Sequence, residues 1–350
     1  MSTVGRAALL GLGGLSLLAG LDAALLLLEV PAPVDDARLP GLHGVLMVLG
    51  FLGTLIALER AVALRRPWGL LAPALLGAGA LALLSPAPPV LGRLLLVNGC
   101  LVLVAVSAAL WRRSGEVTVL VQLLGAVLAA CAAVLWLRVE VFDLVPLLAA
   151  FVVLTIAAER VELARISVPR SAPRVLLGAG TALALAALLA AAWPDGGAHL
   201  VGLVLLVLVG YLLRHDVARH LVRARGLPRF SAAALLAGYA WLALAGAVWL
   251  VGGRPGDTTA YDVVVHGTFL GFAISMVMAH APVILPAVLS VRLPYRAVLW
   301  VPLAVLHTGM AVRVLGAGLG GGVVWQTGSV VTVAAVLLLV ACALGLAVTA

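Results

Sequence analysis

Residues 41–64 read GLHGVLMVLGFLGTLIALERAVAL, an apolar run that carries His43 near its start and Glu59 and Arg60 near its end. A helix of this length is about 36 Å long, which is enough to cross the roughly 30 Å hydrocarbon core of a bilayer. In lipid every backbone N–H and C=O must be satisfied within the segment itself. The run therefore predicts a transmembrane helix.

Further apolar runs of spanning length accompany it, and short connections join them. The predicted spans lie at about residues 7–30, 40–64, 69–86, 90–111, 117–137, 143–164, 174–193, 199–221, 231–252, 260–290, 294–315 and 325–349. The chain is 64% hydrophobic and 10% charged, with a mean hydropathy of +1.23. Because so few polar residues cannot cover a water-soluble globule of 350 residues, the sequence predicts an all-α polytopic transmembrane bundle of about twelve helices, with the lipid bilayer as its main partner.

The arginines predict the orientation of this bundle. All 22 basic residues are arginine, and an N-terminus on the inside places seventeen at inner span ends and five at outer ones. The outer five are Arg38, Arg93, Arg138, Arg254 and Arg313. This bias follows the positive-inside rule and predicts a multi-pass protein of the cytoplasmic membrane with both termini in the cytoplasm. The net charge of +8 is then a topological signal, and nucleic-acid binding is not expected.

An internal repeat relates helices 2, 6 and 10. The related stretches are GFLGTLIALERAVAL from Gly50, AFVVLTIAAERVELA from Ala150 and GFAISMVMAHAPVIL from Gly271. Their alignment places Glu59, Glu159 and His280 at equivalent positions. It predicts one integral membrane domain over 1–350, built from pseudo-repeated four-helix units at about 1–115, 116–228 and 229–350.

Two Glu–Arg dipeptides lie at predicted inner helix ends, Glu59 with Arg60 and Glu159 with Arg160. We interpret them as ion pairs that close the bundle, because a charge in a membrane interior is normally paired. A proton-entry relay is the alternative interpretation.

His43 and His266 stand near the predicted outer ends of helices 2 and 10, about one helical turn inside the apolar boundary. Ionisable groups at such positions are functional candidates by default. Two neutral imidazoles at one depth would complete a hexacoordinate haem iron, and a porphyrin fits between apolar helices. The pair predicts a bis-histidine haem b. The sequence has no CxxCH for covalent attachment, and the outer arginines, Arg313 among them, are candidate partners for the propionates.

His280 and His307 form a second pair near the middle of helices 10 and 11. A short loop joins these helices, so antiparallel packing would let the two imidazoles share a site. Met276 precedes His280 by four residues and Met310 follows His307 by three, and imidazole with thioether is a ligand set that favours copper or haem iron. These residues predict a second haem or a copper ion. The alternative is packing, with histidines bonded across helices and methionines filling gaps.

In its twelve spans, three pseudo-repeats and histidines on helices 2 and 10, the chain resembles subunit I of the haem–copper oxidases. His43 and His266 match the two ligands of the low-spin haem in that family. The chain more closely resembles NnrS-type membrane proteins, a haem- and copper-associated family linked to the nitric oxide response, in HGVLMVLGFLGTLIALERAVAL from His43 and VVVHGTFLGFAISMVMAHAPVILP from Val263. The resemblance implies a non-pumping haem protein of membrane electron transfer or nitric oxide response.

Oxidase-type catalysis is not implied, because helices 6 and 7 lack the histidines that hold copper beside the active haem in the oxidases. Two alternatives stay open. One is an electron-transfer subunit that links quinones to a redox partner protein. The other is a copper or small-solute transporter with a mid-membrane His/Met site, in which Pro282 and Pro286 interrupt helix 10, although helices 2 and 6 show no matching break in sequence.

Overall fold

A computed structural model describes residues 3–164, 168–289 and 293–348, and these residues contain helices and connections but no strand. Within the described ranges, twelve helices are long and apolar enough to cross a membrane, which confirms the predicted all-α polytopic bundle. They are α1 (Val4–Leu27), α2 (Leu39–Leu64), α3 (Pro67–Leu84), α4 (Pro89–Ser114), α5 (Val117–Leu135), α6 (Val141–Leu163), α7 (Ala172–Ala192), α8 (Pro194–His215), α9 (Leu227–Gly252), α10 (Thr258–Pro286), α11 (Ala297–Gly318) and α12 (Gly322–Val348).

Local sequence explains several helix ends. Pro89 and Pro194 begin α4 and α8, where a missing N–H costs nothing because the first N–H groups of a helix have no partner in it. Gly115 ends α4 in the left-handed conformation, with φ of 67°, which glycine adopts without strain. Asp257 caps α10, because its side chain accepts the N–H of Ala260.

The eighth helix begins and ends earlier in the chain than the sequence predicted. The run at 199–221 predicted a helix through Leu221, but α8 is Pro194–His215 and a separate short helix follows at Ala218–Leu221. The break lies at Asp216, whose backbone is extended and whose Oδ1 accepts the N–H of Ala218 at 2.9 Å. A short polar side chain that bonds nearby backbone competes with helix continuation, which the hydropathy of the run does not report.

Two helices contain π-helical turns. The segment Leu46–Gly53 interrupts α2, and the segment Gly267–Ile274 interrupts α10. Their first residues are 221 positions apart, the same separation as that between the aligned Gly50 and Gly271. Insertions of this kind are rare and are frequent at functional sites. The sequence indicated only the two prolines as interruptions of α10 and none in α2.

The chain divides into two compact units. The first is Met1–Phe151 together with Val288–Ser290, and the second is Val152–Ala287 together with Val291–Ala350. This division lies within α6 and coincides with neither of the predicted repeat boundaries near 115 and 228.

Within each unit, consecutive helices pack against each other. In the first unit α3 packs on α4 and α4 on α5, and in the second α8 packs on α7 and α9, and α11 on α12. Glycines permit close approach: an added Cβ at Gly79 would meet the backbone of Gly92, and one at Gly246 would meet the side chain of Leu205. Small residues at helix crossings are typical of membrane bundles, where van der Waals packing replaces the hydrophobic drive between helices.

Candidate functional site

His43 lies in the first unit, three residues before the π-helical segment of α2. Its Nδ1 is 2.8 Å from the carbonyl oxygen of Gly20 on α1. A carbonyl only accepts, so Nδ1 carries the proton, and in the neutral ring the lone pair is on Nε2. Met47 lies against Gly20 as well, since a Cβ there would meet its sulfur. Imidazoles that ligate metals have this arrangement, with one ring N–H held by a carbonyl or a carboxylate.

His266 lies in the second unit and directly precedes the π-helical segment of α10. Its Nδ1 is 3.0 Å from Oδ1 of Asp262 and 3.1 Å from the carbonyl oxygen of the same residue. Both atoms are acceptors, so Nδ1 again carries the proton and Nε2 of the neutral ring has the lone pair. His266 thus has the ligand-type tautomer, and its supporting group is an anion.

The two histidines do not occupy the same position in their own helices. His43 is four residues beyond Leu39, the first residue of α2, whereas His266 is eight residues beyond Thr258, the first residue of α10. Counted from the start of its own helix, His266 therefore lies four residues further in than His43, and the equal depth of the two histidines stays a prediction. The helix start at Thr258 is set by the Asp257 cap, which hydropathy does not detect.

Arg313, predicted to hold a haem propionate, pairs with Asp262. Its Nε donates to Oδ2 at 2.8 Å, and its Nη2 donates to Oδ1. Trp325 adds an indole N–H to Oδ2 at 3.2 Å, and its ring lies 5.5 Å from the guanidinium carbon. Both charged residues are buried, Asp262 at 8% and Arg313 at 7% exposure. A propionate would therefore compete with a bidentate buried partner, and the propionate role of Arg313 stays a prediction.

His280 belongs to a second buried network, near the other end of α10. Its Nε2 is 3.1 Å from Nη1 of Arg160. An arginine only donates, so Nε2 of His280 accepts. Arg160 also donates from Nε and Nη2 to the two carboxylate oxygens of Asp216, at 3.1 and 2.9 Å, and the hydroxyl of Tyr239 donates to Oδ2 at 2.7 Å. All four residues are buried. The lone pair that a metal would need on His280 is directed at a cation.

Asp216 is the anion that balances Arg160. Burial by itself raises the pKa of the Asp216 carboxyl, but the hydrogen bonds and charge of Arg160, with the N–H of Ala218 and the Tyr239 hydroxyl, outweigh burial. The net pKa is below its ordinary value. A lowered pKa together with a bidentate geometry describes a carboxylate that stays ionised beside its arginine. Arg160 is thus part of a buried ion pair, and its anion is Asp216, a residue that the sequence analysis did not name.

His307 on α11 uses both ring nitrogens. Nδ1 accepts the indole N–H of Trp241 at 2.9 Å, and Nε2, which therefore carries the proton, lies 3.4 Å from the hydroxyl of Ser275. That hydroxyl donates to the carbonyl of Gly271 at 2.6 Å, inside the π-helical segment. His307 is thus a link between α9, α10 and α11. Its tautomer is the opposite of the one found at His43 and His266.

The predicted second site at His280 and His307 with Met276 and Met310 has no metal cluster of the usual kind. The described residues contain no group of three or more His, Cys, Asp and Glu side chains that could hold a metal ion. Both methionines are fully buried. The hydrogen bonds of the two imidazoles fit the packing alternative better than a ligand role. A second haem or copper stays a prediction.

In the first unit, Glu59 and Arg60 form the predicted ion pair, with Arg60 Nη2 at 2.5 Å from Oε1 of Glu59. Nη1 of Arg60 donates to Oε1 of Gln122 on α5 at 2.6 Å, and Gln122 is 3% exposed. The pair therefore anchors α2 to α5. This geometry supports the structural interpretation of the dipeptide.

Sequence reasoning missed the two carboxylates that organise the second unit. Asp262 precedes His266 by one turn, and this i, i+4 spacing places both side chains on one face, so the signal was present. Asp216 follows Arg214 and His215 in a basic stretch and gave no signal of its own. Its partner is 56 residues away in sequence. The donor roles of the Trp241 and Trp325 indoles, toward His307 and Asp262, were not predicted either.

A family model described as "Domain of unknown function (DUF8744)" matches residues 6–348. The match covers both histidine-bearing π-helical helices and both buried ionic networks. No curated protein and no solved structure matches the chain.

Proposed function

This chain belongs to the DUF8744 family, and we propose that it is an NnrS-like integral membrane protein that binds haem b and acts in electron transfer or nitric oxide response. The observation that carries the proposal is the tautomer of His266, whose Nδ1–H is held by Asp262 as in metal-ligating histidines. His43 has the same tautomer, with Gly20 as its acceptor.

A neutral imidazole is a usual ligand of haem b iron. His266 would hold the haem through its Nε2, and His43 is the other ligand that the sequence predicts. The observations that support this proposal are the hydrogen bonds that each imidazole makes within its own unit. Haem held in this way supplies one-electron transfer. The role of the chain is to present neutral imidazoles of fixed tautomer in an apolar setting, which disfavours ligation by water.

The arginine distribution supports a cytoplasmic membrane location with both termini in the cytoplasm. In that orientation His43 and His266 belong to the outer halves of their helices. Haem near the outer surface would suit exchange of electrons with an extracytoplasmic partner protein or with quinones in the bilayer. Reduction of the haem by quinol would distinguish a quinone-linked subunit from a sensor.

A four-variant series tests the proposal. Purified wild-type protein should give a reduced minus oxidised spectrum with the α-band of a low-spin b-type haem. His43→Ala and His266→Ala should each remove that band. His280→Gln and His307→Gln are the matched controls, because their ring nitrogens are committed to Arg160 and Trp241, and both should keep it. Loss of the band in the controls with retention in the first two would contradict the ligand assignment.

A transporter is the second candidate, and the π-helical segments favour it. Both α2 and α10 are interrupted at positions that correspond in the repeat. Interrupted helices in matching positions of repeats commonly mark a substrate site near the midplane. Purified protein that carries copper but shows no haem absorbance, and that accumulates copper in proteoliposomes, would favour this function over the first.

A further inference from the structure

The carboxylate behind His266 is held from several directions. Asp262 lies one helical turn before His266, and its Oδ1 accepts the ring N–H at 3.0 Å. Arg313 donates to both carboxylate oxygens, and Trp325 donates to Oδ2. Asp262 and Arg313 are themselves buried, so the carboxylate has little freedom to rotate.

The two candidate ligands, His43 and His266, therefore differ in the group that accepts their ring N–H. His43 donates to a neutral backbone carbonyl, at Gly20. His266 donates to an anion, and a charge-assisted hydrogen bond withdraws the Nδ1 proton from the ring more strongly. The ring with the anionic partner has the more basic Nε2.

We infer that Asp262 is a positioning residue that fixes the ring and tautomer of His266 and makes its Nε2 the stronger electron donor to haem iron. The inference rests on the proposed haem site. Arg313 and Trp325 set the strength of this effect, because each hydrogen bond they give to the carboxylate draws charge away from His266. A more basic ligand nitrogen stabilises ferric over ferrous iron, so Asp262 would lower the midpoint potential of a haem held by His266.

The first test is Asp262→Asn, measured by optical redox titration of purified protein. An amide is neutral and its NH₂ group cannot accept, so Asn removes the anion behind His266 and the bonds that Oδ2 accepts from Arg313 and Trp325. The midpoint potential should rise, and haem affinity should fall about 10- to 100-fold, as is typical when such supporting groups are changed. Asp257→Asn is the matched control: it makes the same Asp-to-Asn change at the N-cap of the same helix, where the amide oxygen can still accept the N–H of Ala260 and does not contact His266. It should leave the midpoint potential unchanged.

The second test is Trp325→Phe, which removes one donor from Oδ2 and leaves the carboxylate and His266 in place. More of the negative charge then acts on His266, so the midpoint potential should fall below that of the wild type. Opposite shifts in the two variants distinguish an electronic effect from structural damage, which would move both in one direction.

The outcomes separate the two proposals. A wild type without haem refutes the proposed function and the inference with it. A wild type with haem, in which Asp262→Asn titrates like Asp257→Asn, refutes the inference alone. If Asp262→Asn does not accumulate as folded protein, Trp325→Phe decides: a lowered midpoint potential supports the inference, and an unchanged or raised one overturns it.

Discussion

Replacing Asp216 by Asn should destabilise the second unit more than any surface substitution. The carboxylate accepts from Nε and Nη2 of Arg160, from the Tyr239 hydroxyl and from the N–H of Ala218. An amide in its place removes the negative charge and puts an NH₂ group against donors. Arg160 would then be a buried cation without its counter-ion, at 7% exposure.

The expected loss is about 3 to 5 kcal/mol in the free energy of unfolding, the range for breaking one side of a buried ion pair. The pH at which this contribution is lost follows from the pKa of the Asp216 carboxyl. The folded-state pKa of Asp216 is lowered, so its contribution is fully present above the ordinary carboxyl pKa of about 3.9 and is lost as the pH falls through the lower folded-state value. The difference between wild type and Asp216→Asn should therefore be equal at pH 7 and pH 5.

The assay is unfolding by denaturing detergent in mixed micelles, followed by helical circular dichroism at both pH values. Asp36→Asn is the matched control, because Asp36 pairs with Arg38 on the surface, where the arginine side chain is 54% exposed. The control should unfold like the wild type. A loss below about 1 kcal/mol for Asp216→Asn, the level of a surface pair, would refute the assignment of Asp216 as the essential counter-ion.

Two further substitutions probe α10 and its neighbours. Gly271→Ala would bring a Cβ against the β- and γ-carbons of Trp241, and overpacking of this kind should cost about 1 to 3 kcal/mol of unfolding free energy. Gly11→Ala, with nothing within 4 Å of the added carbon, is its control, and equal stability of the two variants would contradict the packing. Arg313→Ala should cost about 3 to 5 kcal/mol of unfolding free energy, because it leaves the buried Asp262 carboxylate without its arginine. The double variant with Asp262→Ala should lose less than the sum of the two single losses, and strict additivity would show that the residues do not interact.

The sequence was sufficient for the architecture because lipid imposes a simple rule. Each helix must be long and apolar enough to satisfy its backbone internally, and that property can be read from composition along the chain. The errors occurred where a single polar side chain overrides hydropathy, as at Asp216, which ends α8 six residues before the predicted end. The π-helical segments had no sequence signal, because a one-residue insertion in a helix leaves its apolar character unchanged.

The candidate site was predicted only in part. Sequence identified His43 and His266 because ionisable residues are rare in apolar runs. It could not assign their tautomers, since these depend on Gly20, 23 residues away on another helix, and on Asp262. His280 and His307 met the same criterion, yet hydrogen bonds from Arg160 and Trp241 use their lone pairs. Long-range partners of this kind are fixed by packing, which a single sequence does not encode in any local pattern.

The measurement that tests the proposed haem site most directly is the reduced minus oxidised spectrum of the purified wild-type protein, together with a haem assay per polypeptide. The expected result is a low-spin b-type α-band and about one haem b for each chain, both lost in His266→Ala. A wild-type protein that is folded and helical but shows no such band would contradict it.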